Sequence, residues 1–303
     1  MAQAYPAKPI RMILGTAPGG PIDFSARMAA QKLTEALGQH VVVDNRTGAS
    51  GTIATEYVAR AAPDGYTLLM ASAATLCITP HLYKKLSYDT LRDFTPISTV
   101  TGVSYMFVVH PSLPAKSVQE FIALAKEKPG QLRFGSAGSG SVTHLGPELF
   151  KSMAGVDLLH VPYKGAAPAM IDLLGGQGLD FMFDSLLTSM PLVKAGRLRA
   201  LAQTGAQRSS LLPDLPTVAE SGLPGYESST WFGLVGPAKL PRDIVAKLNA
   251  AIVKGLTHPE FRERLLSQGI EPIGNSPEEF AQLIRSELPK WGRIVRIAGA
   301  KLD

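Results

Sequence analysis

The chain is poor in the residues that build most reactive centres. Cys77 is its only cysteine, which excludes an intramolecular disulfide and a cysteine-built metal site. The six histidines (His40, His81, His110, His144, His160 and His258) stand apart, with no H-x-x-x-H or H-x-H pair to hold a metal. No G-x-S-x-G nucleophile turn occurs, and no acid/base or nucleophile/base pair emerges from spacing. No glycine loop runs into the Lys-Ser/Thr of a phosphate loop, which argues against nucleotide hydrolysis. Together these gaps favour binding over turnover. Apolar runs of about 18 residues are also missing, so no segment reads as a membrane-spanning helix. The basic residues behind the net charge of +5 are dispersed, with no Lys/Arg block interleaved with aromatics. Nucleic acid is therefore not an expected partner, whereas a mild positive field suits small anions.

What is present is ordinary core material, 45% hydrophobic and 18% charged over 303 residues. That length favours two domains, each able to bury a core without staples. The N-terminal Met1–Ala4, "MAQA", carries small residues at Ala2 and Ala4 in the pattern of a signal-peptidase site. It reads as the remnant of a removed export signal behind an added initiator Met.

Two glycine-rich elbows dominate the pattern. The first is "LGTAPGGPID", Leu14–Asp23, and the second is "FGSAGSGSVT", Phe134–Thr143. Each follows a short apolar strand pattern and opens into an amphipathic helix pattern. A helix N-terminus leaves backbone N–H groups unpaired at the positive end of the helix dipole, so each elbow is a candidate anion site made of backbone. Two of them suggest one ligand held at both ends, such as a dicarboxylate. The second elbow reads G-x-x-G-x-G rather than G-x-G-x-x-G, so a nicotinamide cofactor is not indicated, and no cofactor of any kind is expected.

The elements around the elbows alternate. Strands are expected at Ile10–Leu14, His40–Asp44, Thr67–Ala71, Tyr105–Val109, Leu158–Val161, Asp180–Phe183, Arg199–Gln203 and Trp231–Val235. Helices are expected over Ile22–Leu37, ended by Gly38, and over Thr52–Ala61 after the glycine loop Asn45–Gly51. More follow from Ser117, where Glu120 completes a capping box, and over Thr143–Met153, Ala166–Leu174 and Leu186–Ala195. The tail is helical over Pro241–Lys254, Pro259–Gln268 and Pro277–Ile297, the last behind an S-P-x-E start at Ser276. Elbow, helix and strand thus recur in the same order, which implies two α/β halves, each a mostly parallel sheet flanked by helices. The tail has too few strands for a domain of its own and is expected to return to the first half. The expected lobes are 1–103 with 232–303, and 104–231, joined by crossings near 103–105 and 230–232 that act as a hinge.

Hydroxyls gather where strands end. Ser72 and Thr75 follow the third strand, and Ser139, Ser141 and Thr143 line the second elbow, positions that suit carboxylate oxygens. Asp184 closes a buried-type strand beside Ser185, where it either caps the next helix or accepts a hydrogen bond from a ligand. Asp23 reads as a structural partner of the first helix N-terminus, since a bare carboxylate beside a bound anion would repel it. His144, in the first turn after the second elbow, reads chiefly as a residue that orients that elbow.

Several segments then resemble one family. "YPAKPIRMILGTAPGGPIDFSARMAAQKL", "ALGQHVVVDNRTGASG", "AAPDGYTLLM", "LRFGSAGSGSVTHLGPELF", "HVPYKGAAPAMIDLLGGQ", "MFDS" and "LPDLPTVAESGLPGYE" are similar, in order, to the tripartite tricarboxylate transporter receptors. These are the TctC-like or Bug-type extracytoplasmic solute-binding proteins, and the likeness runs from Tyr5 to about Ala298. The resemblance implies a periplasmic, monomeric, non-enzymatic binding protein of type II-like, Venus-flytrap architecture, with the ligand cleft between its lobes. It implies capture of a mono-, di- or tricarboxylate and delivery to the membrane permease subunits of such a transporter. Mapped here, it implicates Thr16, Ala17, Pro18, Gly19 and Gly20 in one lobe, and Ser136, Gly138, Ser139, Gly140, Ser141 and Thr143 in the other. Ser72, Thr75 and Asp184 would line the cleft, with no metal. Many relatives have an aromatic before "APGG", where this chain has Thr16, and often Asn where Thr79 stands. An enzyme acting on a carboxylate or nucleotide in the same cleft, or a receptor signalling to a sensor protein, is the alternative.

Overall fold

The computed structural model describes residues 5–176 and 178–301. The Met1–Ala4 segment read as a signal remnant lies outside them. In chain order the elements are β1 (Ile10–Leu14), α1 (Pro21–Leu37), β2 (Val41–Asn45), α2 (Thr52–Ala59) and β3 (Thr67–Ser72). A π-helical turn over Ala74–Ile78 leads into the short α3 (Thr79–Leu82). Then come β4 (Phe94–Val109), α4 (Val118–Glu127), β5 (Arg133–Ser136), α5 (Val142–Ala154), β6 (Leu159–Pro162) and α6 (Ala166–Gly175). They are followed by β7 (Phe181–Ser185), α7 (Leu186–Lys194), β8 (Arg199–Gln203) and β9 (Ser229–Pro237). The tail is α8 (Arg242–Leu256), α9 (Pro259–Leu266), β10 (Glu271–Pro272) and α10 (Pro277–Ala298).

The chain divides into two compact units. Of the described residues, one holds those up to Gly102 together with Thr230–Gly292, and the other holds Val103–Ser229 with 293–301. The end of α10 thus groups with the second unit, not with the first half as its lack of strands implied. In the first unit β1 lies between β2 and β3, both parallel to it, and β9 runs antiparallel on the far side of β3. In the second unit β5 lies between β6 and β7, both parallel to it, and β4 runs antiparallel beyond β7. The two orders, β2-β1-β3-β9 and β6-β5-β7-β4, are therefore the same plan. The fold is α/β with mixed sheets flanked by helices. In both units the elbow leaves the central strand, where the order of strands reverses and the carboxyl ends of its neighbours flank it.

The elements form where local chemistry favours them. Gly38 ends α1 at φ 69° with its N–H on the Thr34 carbonyl, a left-handed cap that a side chain resists. At α10 the capping box closes in both directions: Ser276 Oγ accepts from Glu279 N–H, and the Glu279 carboxylate accepts from Ser276 N–H. At α4 Ser117 Oγ accepts from Glu120 N–H, but the return bond goes to Lys116 N–H. In the first unit α1 packs on α8. The second unit centres on Phe107, whose ring meets those of Phe121, Phe150, Phe181 and Phe183 at centroid distances from 4.8 to 5.4 Å.

Two stretches differ from expectation. The strand expected at Tyr105–Val109 begins at Phe94. Its first half is rich in Ser and Thr, and two of the buried hydroxyls have partners: Ser98 Oγ donates to the Asn275 carbonyl and Thr101 Oγ1 to Ser25 Oγ, whereas Thr99 Oγ1 has none among the described residues. The helical residues 74–82 carry no readable period because a π-turn displaces the register. Tyr88 and Thr90 hydroxyls donate to the carbonyls of Thr75 and Leu76, two groups within that turn.

Candidate functional site

In the first unit the elbow from Thr16 to Gly19 is exposed and leaves buried β1. Pro18 and Pro21 have no N–H to offer. The Gly19 N–H is donated to the Asp23 carboxylate at 3.0 Å. Asp23 also holds Arg27 by two bonds, at 2.9 and 3.0 Å, and accepts from Asn45 Nδ2 at 3.0 Å. The Asn45 amide donates in addition to the Thr16 carbonyl. Burial opposes the charge of Asp23, but these bonds hold its carboxyl below the usual carboxylate range. Asp23 is therefore the clamp of the elbow, as its position predicts. The N–H groups of Ala17, Gly20 and Ile22 bond to nothing among the described residues. They stand unpaired at the α1 N-terminus, which carries no side-chain cap.

Two further strand ends meet this elbow. A Cβ on Gly15 would stand 2.6 Å from the Gly51 Cα, and one on Gly51 would stand 2.9 Å from the Thr75 methyl. Backbone thus packs on backbone where β1, the loop after β2 and the end of β3 converge. Gly48, Ala49, Ser50 and Gly51 all have positive φ, an unusual run that non-glycine residues adopt at a cost of about 1–2 kcal/mol each. This loop belongs to the site's frame and was not among the expected site residues. Its glycine spacing was visible in sequence, but its contact with Gly15 is tertiary. Ser72 and Thr75 bond mainly to each other: Ser72 N–H donates to Thr75 Oγ1, and Thr75 N–H donates to Ser72 Oγ. Their hydroxyls lie 3.4 Å apart.

In the second unit the elbow is tied to itself. Ala137 N–H donates to Thr143 Oγ1, Gly138 N–H to Ser136 Oγ, and Ser141 N–H and Oγ both to the Gly138 carbonyl. Ser141 caps α5, accepting from His144 N–H. Gly140 N–H donates to His144 Nδ1 at 3.0 Å, which requires that nitrogen to be unprotonated. His144 stacks on His160 at 3.8 Å with 16° between planes, and His160 Nε2 lies 2.7 Å from Ser136 Oγ. Burial, mutual proximity and then Lys151 push His144 down to about 3; burial and then Lys151 push His160 down to about 4. Both rings are neutral at neutral pH. The sequence shows six isolated histidines; the parallel pairing of β5 with β6 brings these two together. Ser139, Val142 and Thr143 keep N–H groups with no acceptor among the described residues.

Asp184 is buried, and its carboxylate is taken by the helix it precedes. Thr188 Oγ1 and Ser189 Oγ donate to one oxygen, and Ser185 N–H adds a backbone bond. The cap of α7 is Ser185, whose Oγ accepts from Thr188 N–H, and Asp184 braces that first turn through its hydroxyls. Burial raises its pKa despite these donors. Elsewhere in the second unit, a cavity of about 510 Å³ is lined by Met106, Met190, Val193 and Lys194, and no elbow residue reaches it.

Each unit thus carries a backbone-and-hydroxyl cradle at the carboxyl ends of parallel strands, and in the first unit the neighbouring Asp23 and Arg27 are already paired. That is the arrangement of an α/β solute-binding protein. The chain belongs to the tripartite tricarboxylate transporter family receptors, TctC, whose family model matches residues 25–300. It is similar to BugT of Bordetella pertussis, with 39% identity over 306 residues covering 99% of this chain and 92% of that protein. Among solved structures it is similar to R. palustris Rpa4515 with adipate, at 38% identity and TM-score 0.87, covering 98% of this chain and 100% of that one. MatC from Rhodopseudomonas palustris with bound malate matches at 33% identity and TM-score 0.82, covering 96% and 100%. The chain is accordingly a solute-binding receptor of this family.

Proposed function

We propose that this protein captures a small organic carboxylate in the periplasm, acts as a monomer, and delivers the unchanged ligand to the permease of a tripartite tricarboxylate transporter. The observation that carries the reading is the set of unpaired N–H groups at the two elbows: Ala17, Gly20 and Ile22 at α1, and Ser139, Val142 and Thr143 at α5. Backbone donors at a helix start stabilise an anion without a cation beside it. Arg27, the arginine bonded to the first elbow's clamp, is engaged by Asp23. Charge-assisted bonds of this kind contribute about 1.5–3 kcal/mol each. Ser139 and Thr143 would supply hydroxyls to a carboxylate at the second elbow, and Thr16 with Ser72 to a carboxylate at the first. The similar proteins Rpa4515 and MatC, whose structures hold adipate and malate, support a dicarboxylate.

The test is a thermal-shift and calorimetric screen of succinate, malate, glutarate, adipate and citrate. A true ligand at a hundredfold excess over Kd stabilises the fold by about 2.7 kcal/mol, and is recovered chemically intact. Gly20→Val probes the geometry. A Cβ at Gly20 meets nothing within 4 Å and its φ is −86°, so the variant folds normally while its side chain occupies the ligand's approach. Loss of binding with unchanged melting is expected; full affinity in this variant counts against the first elbow.

A further inference from the structure

The cavity of about 510 Å³ in the second unit has no part in either elbow, yet its volume is that of a small-molecule site. Met106 of β4 and Leu198, just ahead of β8, are its buried lining residues. Met190 and Val193 of α7 add to the apolar surface, as do Leu212 and Leu215 of the loop after β8. That loop is held in place by Gln203, a buried residue whose amide donates to the carbonyls of both leucines at 2.8 Å. The end of α7 is closed as well: the Pro191, Leu192 and Val193 carbonyls accept from the N–H groups of Ala195, Arg197 and Gly196. The cavity is therefore built into the fold.

Two cations line this apolar space, and no carboxylate does. Asp214 sits between Leu212 and Leu215 in the chain but is not part of the lining. Lys194, in the last turn of α7, is exposed and has no ion-pair partner among the described residues. Arg199 of β8 is half-buried and is positioned by backbone alone. Its Nη1 donates to the Leu113 and Ala115 carbonyls at 3.0 and 2.9 Å, and its Nη2 to the Pro111 carbonyl at 3.3 Å. These bonds occupy three of the five N–H donors of a guanidinium and neutralise none of its charge. An arginine fixed in this way is set to receive an anion with little further ordering.

We propose that this cavity is a second ligand site, one that takes a medium-chain aliphatic monocarboxylate with its chain on the methionines and leucines and its head against Lys194 and Arg199. Unbranched methionines adapt to a flexible chain, and burial of that chain supplies the affinity. The cations decide which end of the ligand faces out. A dicarboxylate of the same length would bring a second charge onto the apolar lining, where it would lose its hydration without gaining a partner. The site therefore selects against the dicarboxylates assigned to the elbows, and it fills independently of them.

The experiment is a titration of the full chain, labelled with ¹³C at its methionine methyls, with octanoate and with suberate, the dicarboxylate of equal length. Signals are assigned by single Met→Leu variants, and affinities are read by calorimetry. Octanoate is expected to shift the Met106 and Met190 signals and to leave those of Met12 and Met70, in the first unit, in place. Suberate is expected to move neither Met106 nor Met190. K194E is expected to bind octanoate about fivefold more weakly with unchanged melting of the ligand-free protein, since Lys194 is exposed. Octanoate that leaves Met106 and Met190 unmoved, K194E affinity equal to that of the parent chain, or suberate that shifts the two methionines as octanoate does, overturns the assignment. None of these outcomes touches carboxylate capture at the elbows.

Discussion

The two elbows share a plan and differ in how they are held. The first is exposed and is braced from outside by side chains: Asp23 of α1 takes Gly19, and Asn45 at the end of β2 takes Thr16 and Asp23. The second is braced from within, by its own Ser136, Ser141 and Thr143 hydroxyls and by the stack of buried His144 on half-buried His160. Both braces consume some helix-start N–H groups and leave others outward. A cradle that keeps its shape without a ligand loses little conformational freedom on binding. The first depends on an ion pair, the second on two neutral imidazoles, so the two should fail under different conditions.

The largest contrast concerns the glycines at the two strand ends. A Cβ on Gly15 would lie 2.6 Å from the backbone of Gly51, whereas one on Gly135 would meet side chains, the nearest being Leu179 at 2.5 Å. Backbone cannot move aside, but a leucine end can. Gly15→Ala is expected to destabilise by about 3 kcal/mol in urea melts and Gly135→Ala by about 1 kcal/mol. Equal losses would break the contrast.

Acid should separate the elbows next. The second elbow's histidines carry pKa values pushed from 6.5 to about 3 and about 4. Below 6.5 the unfolded chain takes up protons that the folded one refuses, so stability falls as pH drops from 6.5 towards 4. The first elbow's Asp23 is shifted the other way relative to its charge: its contribution is complete above the ordinary 3.8 and is lost only as pH falls through its lowered folded value. Melting temperatures should therefore decline between pH 6.5 and 4. His144→Gln combined with His160→Gln should flatten that slope, and a slope that survives the double change would assign it elsewhere.

The smallest contrast is at the helix caps. Ser141 caps α5 with its side chain, whereas Gly20 gives α1 no side-chain cap. Ser141→Ala should cost about 1 kcal/mol, while Gly20→Ser should leave stability within a few tenths. A cost at Gly20 matching that at Ser141 would show that the caps are equivalent.

Much of this frame is legible along the chain. The strand–elbow–helix order, the capping box at Ser276 and the glycine end of α1 are local events, driven by side chains within a few residues of the backbone they satisfy. The first half of β4 is not legible, because its threonines and serines become core residues only through partners such as Asn275 and Ser25. At the site, the elbows and the Ser72/Thr75 pair are readable, since both are short-range turns. The Asn45 brace and the contact of Gly15 with Gly51 are not.

Sequence by itself determined where the helices begin, which glycines open them, and that hydroxyls gather at the strand ends beside them. Tertiary structure decided which N–H groups stay unpaired and that two distant histidines stack into one neutral brace. The reason is range: a turn is set by torsions and bonds a few residues apart, whereas the occupancy of a donor depends on strands that meet only when the sheets are assembled.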